Sequence, residues 1–479
     1  MKILLLLIIT TTTIAATEHP REQWLDVAAV VEDIKLAQGA YEHIHPGYTR
    51  YANKNSLDNA WQNIINVATK HNGMTLADLY LNISETLALV RCDHTKAELP
   101  KALRDARNSI PVYLPVLWHQ VEGQVLVAAA TETSGLKRGD VILKVDDKDI
   151  HELIEQVKKY IPVDGFTDHS KINLVAASAE HQGGALDHFG ALLWQPKAQV
   201  KMTYRTVNGT VNEKVFSRIT YDQWRALNPS RVRNFIDAVD FKWINTDTAV
   251  LKIDTFVNYR NPINPDKLYK PLFKALNETQ TLILDLRENG GGSNEPPLRL
   301  LAYLMPEKFR QAKDVQVKTL NLNPFKKHLR TWEKSALNPK ASRFIPNPNG
   351  SYSFKPNILD DTQWIKPNRN RFNGKLLVLT SNNNSSGSTN LLSVLKNRPN
   401  TTFIGEPTGG SVEGPTAGVI FFLKLPNSGI TARIPAFRYY NDVSEFQLGK
   451  GITPDLEVSL SKDAFIAAQD PILDAALKF

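Results

Sequence analysis

Apolar residues return at every third or fourth position from about Glu22 to Leu103, first as Trp24, Val27, Val30, Val31 and Ile34, later as Leu76, Leu79, Tyr80, Ile83, Leu87 and Val90. That period gives each segment one buried side and predicts a helical N-terminal domain. His45-Pro46-Gly47 interrupts it, because proline disfavours helical backbone before it and glycine eases a turn. His45 reads as punctuation. Beyond Pro111 the runs become short and β-like, at Pro111–Leu117 and Gln124–Ala130. A turn at Ser134-Gly135-Leu136-Lys137-Arg138-Gly139-Asp140 then leads to a strand at Val141–Val145. These predict a small β-rich module. The segment Asp164–Gln195, with its Gly183-Gly184 pair, reads as an insertion before a strand at Val200–Val207, and the pattern gives it no purpose. From about Ala249 the apolar runs become continuous, at Val250–Ile253, Leu282–Leu286, Leu376–Thr380 and Phe403–Ile404, with a helix near Pro296–Leu304. Such runs suit strands buried under covering helices. The stretch Asn321–Asn370, rich in Pro, Asn, Lys and Trp, has weak periodicity and reads as a long surface excursion.

Length and composition narrow the class. A chain of 479 residues exceeds one ordinary core, since domains usually run about 100 to 200 residues. With 42% hydrophobic and 22% charged residues, neither wholesale disorder nor a multi-span membrane protein fits. The first residues combine Lys2, an apolar run from Ile3 to Ile9 and small residues at Ala15 and Ala16, the layout of a cleaved export signal over residues 1–16. That run is far shorter than the roughly 20 residues that span a bilayer. The expectation is an exported, periplasmic or extracellular protein without stable membrane insertion. Cys92 is the single cysteine, so no intramolecular disulfide can form, and it reads as inert packing. The net charge of +8 is scattered, without a basic stripe interleaved with aromatics, which argues against nucleic acid. No HExxH, paired Cys/His spacing or phosphate-binding glycine-lysine loop occurs, so no metal or other cofactor is implied.

Two stretches carry chemistry. The apolar strand Leu282–Leu286 ends in Arg287-Glu288-Asn289-Gly290-Gly291-Gly292. Glycine tolerates positive φ and leaves its N–H uncovered, so such a loop can aim donors at a developing oxyanion; Gly291 is the expected donor. The strand Leu376–Thr380 runs into Ser381-Asn382-Asn383-Asn384-Ser385-Ser386-Gly387-Ser388-Thr389-Asn390 and then the helix-like Leu391–Leu395. A serine at a strand-to-helix turn is exposed and sits near helix N-terminal amides. The local pattern does not choose among the serines there.

Resemblance to known families does choose. Gly135–Asp146 resembles the "GLxxGD" turn and "ILxVD" strand of a PDZ domain, which implies capture of a peptide end by strand addition. Asp285–Gly292, Ser386-Gly387-Ser388-Thr389 and Gly405–Gly410 together resemble the "DLRxNxGG", "SASE" and "GExTxG" stretches of the tail-specific, C-terminal processing serine peptidases. The gap between the last two matches that from Ser386 to Gly405, which marks Ser386 as the nucleophile. The amide of Gly387 becomes the second oxyanion donor beside that of Gly291. The bacterial processing branch carries a lysine base just after "GExTxG"; Ser411 stands at that point here, so another base is required. Arg91-Cys92-Asp93-His94-Thr95 is similar to the "DGHT" segment of the tricorn-core branch, whose arrangement is Ser-His-Glu, and this implies His94 as base. By the same resemblance the third member lies shortly before the terminal Gly451-Ile452-Thr453-Pro454-Asp455; Glu445 is nearest, with Glu413 as competitor.

The resemblance implies a multidomain α/β protein. It would have a helical N-terminal domain over 17–107, a PDZ-like β-rich module with an insertion over 108–220, and a crotonase/Clp-protease-like α/β catalytic core over 221–479. The expected activity is that of a secreted serine endopeptidase acting on unfolded or short polypeptides through an acyl-enzyme on Ser386, with C-terminal tails as candidate recognition elements. Its partner is the polypeptide substrate; no motif speaks to oligomeric state. Two alternatives stand: an inactive relative that binds peptides or apolar ligands, and a hydrolase that recruits Lys396 or Lys424 as base. The first is decided by whether His94 reaches Ser386 within about 3 Å, the span a base needs.

Overall fold

Three helices, Val27–Ile44, Lys54–His71 and Leu76–Ala88, form the N-terminal domain. Asp26, Asn53 and Thr75 start them by accepting a backbone N–H at each N-cap, as short oxygen-bearing side chains do. Val30, Ile34, Ala37 and Tyr41 of the first meet Leu57, Trp61, Ile64 and Ala68 of the second in one core. The structure is a computed structural model that describes residues 21–178, 180–228 and 234–479; the expected export signal lies outside them. His45 does more than punctuate. It is fully buried, its Nδ1 accepts from the Gly47 N–H at 3.0 Å, and its Nε2 lies 2.8 Å from Thr95 Oγ1. Burial lowers its pKa to about 3, so the ring is neutral. With Nδ1 accepting, the single proton sits on Nε2 and is donated to the threonine beside His94.

The β-rich module is an antiparallel sheet in the order Val116–Val121, Gln124–Ala130, Val141–Val145, Gln199–Arg205, Val211–Ser217. Its first strand starts later than the apolar run at Pro111 suggests, because Pro111 and Pro115 have no N–H for a ladder. Gly135 and Gly139 take φ of 75° and 91° in the expected turn, backbone that glycine adopts without strain. The segment read as an insertion carries two helices, Lys171–Ala176 and Ala185–Leu193. Phe189 and Leu192 of the second join the core of the N-terminal helices, so module and helical domain share one apolar interior.

The α/β core holds a six-stranded sheet in the order Val239–Trp243, Thr248–Ile253, Thr281–Asp285, Lys375–Thr380, Thr401–Gly405, Leu456–Glu457. The first pair is antiparallel and the rest are parallel. Alternate side chains part to opposite faces, as the pleat requires. Leu282, Leu284, Leu376 and Val378 pack under the helices Asp266–Ala275, Glu295–Leu304 and Ser386–Leu395, while Ile283, Leu377 and Leu379 meet Pro471–Leu477. A second sheet is built on a long hairpin, Thr416–Lys424 and Thr431–Asn441, which the sequence pattern did not reveal. Leu329–Arg330, Phe344–Pro346 and Tyr352–Phe354 join it, so the stretch read as a surface excursion supplies three of its strands. Ala97–Glu98 also pairs with the hairpin at Thr431 and Ala432, pinning the chain just after His94. No helix among the described residues is long and apolar enough to cross a membrane.

Candidate active site

Thr281–Asp285 and Lys375–Thr380 are parallel neighbours, so the glycine loop and the serine loop leave the sheet side by side. The carboxyl ends of strands are where open α/β sheets receive ligands. Asn384 sews the loops together, its Nδ2 donating to Leu286 O at 2.6 Å and Asn289 O at 3.1 Å. Arg287 anchors the glycine loop from below through Asp285 and Asp470.

Ser386 opens the helix Ser386–Leu395 with a φ of 51°. Left-handed backbone is costly for a residue with a Cβ, and such strain is stored at reacting groups. Its Oγ lies 3.2 Å from His94 Nε2. The neighbouring serines are occupied: Ser381 Oγ donates to Arg287 O at 2.5 Å, Ser385 Oγ to Gly290 O at 3.1 Å, and Ser388 Oγ accepts from Asn384 at 3.2 Å. Of the four hydroxyls, only that of Ser386 meets a base.

The expected donor Gly291 is already spent, because its N–H donates to Asn289 Oδ1 at 2.8 Å. The N–H of the next residue, Gly292, is not taken up in this way. Phe256 brackets it on one edge, donating to Gly291 O and accepting from Ser293 N, and in a parallel bridge the bracketed residue's own N–H points the other way. That way lies the serine loop: a Cβ built on Gly387 would sit 3.6 Å from Gly292 N. Neither Gly292 N nor Gly387 N has an acceptor among the described residues, so two amides are free to receive a developing negative charge. Three successive glycines look alike in sequence; the Asn289 side chain takes up the amide of Gly291 and leaves that of Gly292 open toward the serine loop.

His94 Nδ1 faces Asp93 Oδ1 at 2.5 Å. The approach lies off the N–H direction, and neither atom completes a hydrogen bond. Burial pulls the imidazole pKa down, but the negative charge of Asp93 outweighs it and raises the pKa to about 10. Glu445 does not occupy this position: it is exposed, in the loop that follows the strand Thr431–Asn441. Glu413 is buried but committed elsewhere, to Arg50 at 3.1 Å, the Tyr51 hydroxyl at 2.7 Å and the Gly449 N–H at 2.8 Å. Sequence reasoning missed Asp93 because neighbouring side chains usually diverge. Here Thr95 N bonds Cys92 O at 3.0 Å, which makes Asp93 and His94 the two central residues of a tight turn. Lys396 and Lys424 are exposed; Lys396 caps the far end of the Ser386 helix, about 15 Å along its axis. Cys92 is buried, with its Sγ 3.3 Å from Thr416 O.

Residues 247–458 match the family described as Peptidase family S41, and residues 111–225 that described as PDZ domain; His94 lies outside both stretches. No curated protein matches the chain. Among solved structures, mature CPAF complexed with lactacystin is similar at a TM-score of 0.67 and 14% identity, over 94% of this chain and 98% of that one. The cpaf s499a mutant is similar at 0.62 and 13%, over 92% and 94%. Likeness at these identities speaks to the fold. The chain thus carries the match to Peptidase family S41 over residues 247–458 and the PDZ-domain match ahead of it, and it is a serine-type peptidase.

Proposed function

We propose that the protein is an exported endopeptidase that cleaves unfolded or short polypeptides through an acyl-enzyme on Ser386, with His94 as base and Asp93 as the carboxylate beside it. His94 Nε2 takes the Ser386 hydroxyl proton as Oγ attacks the peptide carbonyl carbon. The N–H groups of Gly292 and Gly387 hold the oxyanion. His94 then protonates the amine as the C–N bond breaks, and water, deprotonated by the same imidazole, releases the acyl group. The observation that carries this reading is the 3.2 Å contact between Ser386 Oγ and His94 Nε2. The PDZ domain supports recognition of a substrate's C-terminal end by strand addition, and Lys2 with the apolar run behind it supports export.

The test is cleavage of casein and a panel of quenched-fluorescence peptides by the protein, with Ser386→Ala and His94→Ala prepared alongside. Cleavage lost in both variants is the expected result. Equal cleavage by Ser386→Ala would sink the assignment, and no cleavage by any form would favour a peptide-binding role.

A further inference from the structure

One segment of the PDZ-matched region, residues 164–173, touches the chain beside both His94 and Ser386. Asp164 is 2% exposed, and its Oδ2 accepts from both the N–H of Ser411, at 3.0 Å, and the Ser411 hydroxyl, at 2.5 Å. Its Oδ1 is buried without a partner. Ser411 follows Gly410, whose N–H donates to Asn384 O at 2.8 Å. A Cβ on Gly410 would sit 3.0 Å from Ser385 Cα, so whatever fixes Ser411 fixes the backbone beside the nucleophile. Asn173 reaches the same loop directly, its Nδ2 donating to the Asn382 side chain and to Asn383 Oδ1 at 2.7 Å.

The segment also holds the base. Gly165 N donates to Arg91 O at 2.9 Å and Arg91 Nη1 donates back to Gly165 O at 3.0 Å, clasping the chain three residues before His94. Arg91 pairs with Asp168 at 2.9 Å. Thr167 Oγ1 donates to Gly409 O at 2.7 Å and Phe166 N to Gly449 O at 2.7 Å. The fit leaves no slack, since a Cβ on Gly165 would lie 2.5 Å from Gly449 Cα.

We infer that Asp164 and Asn173 are positioning residues: from the PDZ domain they hold the His94 turn and the Ser386 loop in register, so catalytic alignment is set from outside the peptidase core. The inference rests on the Ser386–His94 reading above. Neither residue touches the reacting atoms; each acts through backbone that carries them. A misplacement of about 1 Å at a reacting pair costs on the order of 100-fold in rate, so contacts that fix two loops at once are expected to show in kcat. Around the Asp164 carboxyl lie Asp93 from the His94 turn, Arg50 and Tyr51 from the N-terminal domain, and Ser411 and Glu413 from the core.

The experiment measures Ser386 acylation by a small fluorophosphonate, which needs no peptide site, and kcat and KM for a cleaved peptide across pH. The full-length forms are wild type, Asn173→Ala, Asp164→Ala, Asp164→Asn and Ser386→Ala, each with its thermal midpoint. Asn173→Ala and Asp164→Ala are expected to slow acylation and lower kcat by about 10-fold or more, with KM within about twofold. Asp164→Asn keeps an acceptor for Ser411 and is expected to recover most of the rate while changing the pH profile near neutrality. Should Asp164→Ala fail to fold, Asn173→Ala and the isosteric Asp164→Asn carry the test. Folded variants that acylate within about twofold of wild type, with an unchanged pH profile, would overturn the inference. Labelling of Ser386→Ala at the wild-type rate would instead overturn the assignment of the nucleophile.

Discussion

Asp93 and His94 are joined by a peptide bond and face each other across 2.5 Å in a single turn, without an aligned hydrogen bond. The tether is too short for the ring N–H to point straight at the carboxylate, so Asp93 acts on the imidazole mainly through its charge.

The first prediction concerns pH. The Asp93 charge raises the His94 pKa to about 10, and a base must be unprotonated to accept the Ser386 proton. The kcat/KM of the wild type is therefore expected to rise with pH through the alkaline range. Asp93→Asn removes the charge and leaves the lowering effect of burial, so the rising limb should move down to the ordinary histidine value near 6.5 or below it while the plateau falls by about 100-fold or more. A pH–rate profile of both forms checks this, and an unmoved limb would show that Asp93 does not govern the base.

Because the imidazole titrates in the range ordinarily assigned to lysine, pH alone cannot tell the two bases apart. Substitution can. Lys396→Ala and Lys424→Ala, both at exposed positions, are expected to keep kcat/KM within about twofold, and His94→Ala to lose about 1000-fold. A large loss in either lysine variant would return the hydrolase with a lysine base to contention.

The glycines separate by geometry. Gly292 has a φ of 142°, and a Cβ there would lie 2.4 Å from Phe256 C and Val257 N, so Gly292→Ala must move the free amide. Its kcat is expected to drop by about 100-fold. A Cβ on Gly387 meets nothing closer than 3.6 Å, and since the backbone N–H is the donor, Gly387→Ala should stay within about threefold of wild type. Steady-state kinetics on the two variants decide whether Gly292 is the donor.

A fourth prediction concerns stability. Asp187 is buried, and burial raises its pKa to about 6 although the Leu114 N–H donates to it. A carboxyl whose folded pKa exceeds its unfolded value contributes stability that is fully present below about pH 4 and lost as pH rises through about 6. Asp187→Asn keeps an acceptor for Leu114 but cannot ionise. Its advantage over wild type in chemical denaturation should grow between pH 4 and 7 by about 2 to 3 kcal/mol; a constant difference across that range would contradict the assignment.

Some of this was legible in the chain because strand ends announce themselves. Asp285 to Gly292 and the Ser386 turn each follow a continuous apolar run, and both runs proved to be adjacent parallel strands. The hairpin from Thr416 to Asn441 hid for a physical reason: Pro435 stands mid-strand, and Gly418, with a φ of 71°, lies where the register slips, features that argue against a strand in a linear reading. The family resemblance points to a carboxylate shortly before the Gly451 stretch, hence to Glu445 with Glu413 as competitor, whereas Asp93 comes to His94 through the geometry of one turn. The choice between Gly291 and Gly292 depended on a buried asparagine whose side-chain direction no residue pattern encodes.

The proposed base and nucleophile, His94 and Ser386, stand 292 positions apart, His94 coming first. Translation at roughly 5 to 20 residues per second thus leaves an interval of some tens of seconds in which His94 exists and Ser386 does not. Under that assignment a nascent chain would be inert throughout that interval, whatever unfolded polypeptide surrounds it. A fragment confined to the family-matched stretch would hold the serine without the histidine. Neither piece alone would hold both members of the proposed pair, and the apolar interior that joins them would be cut in two.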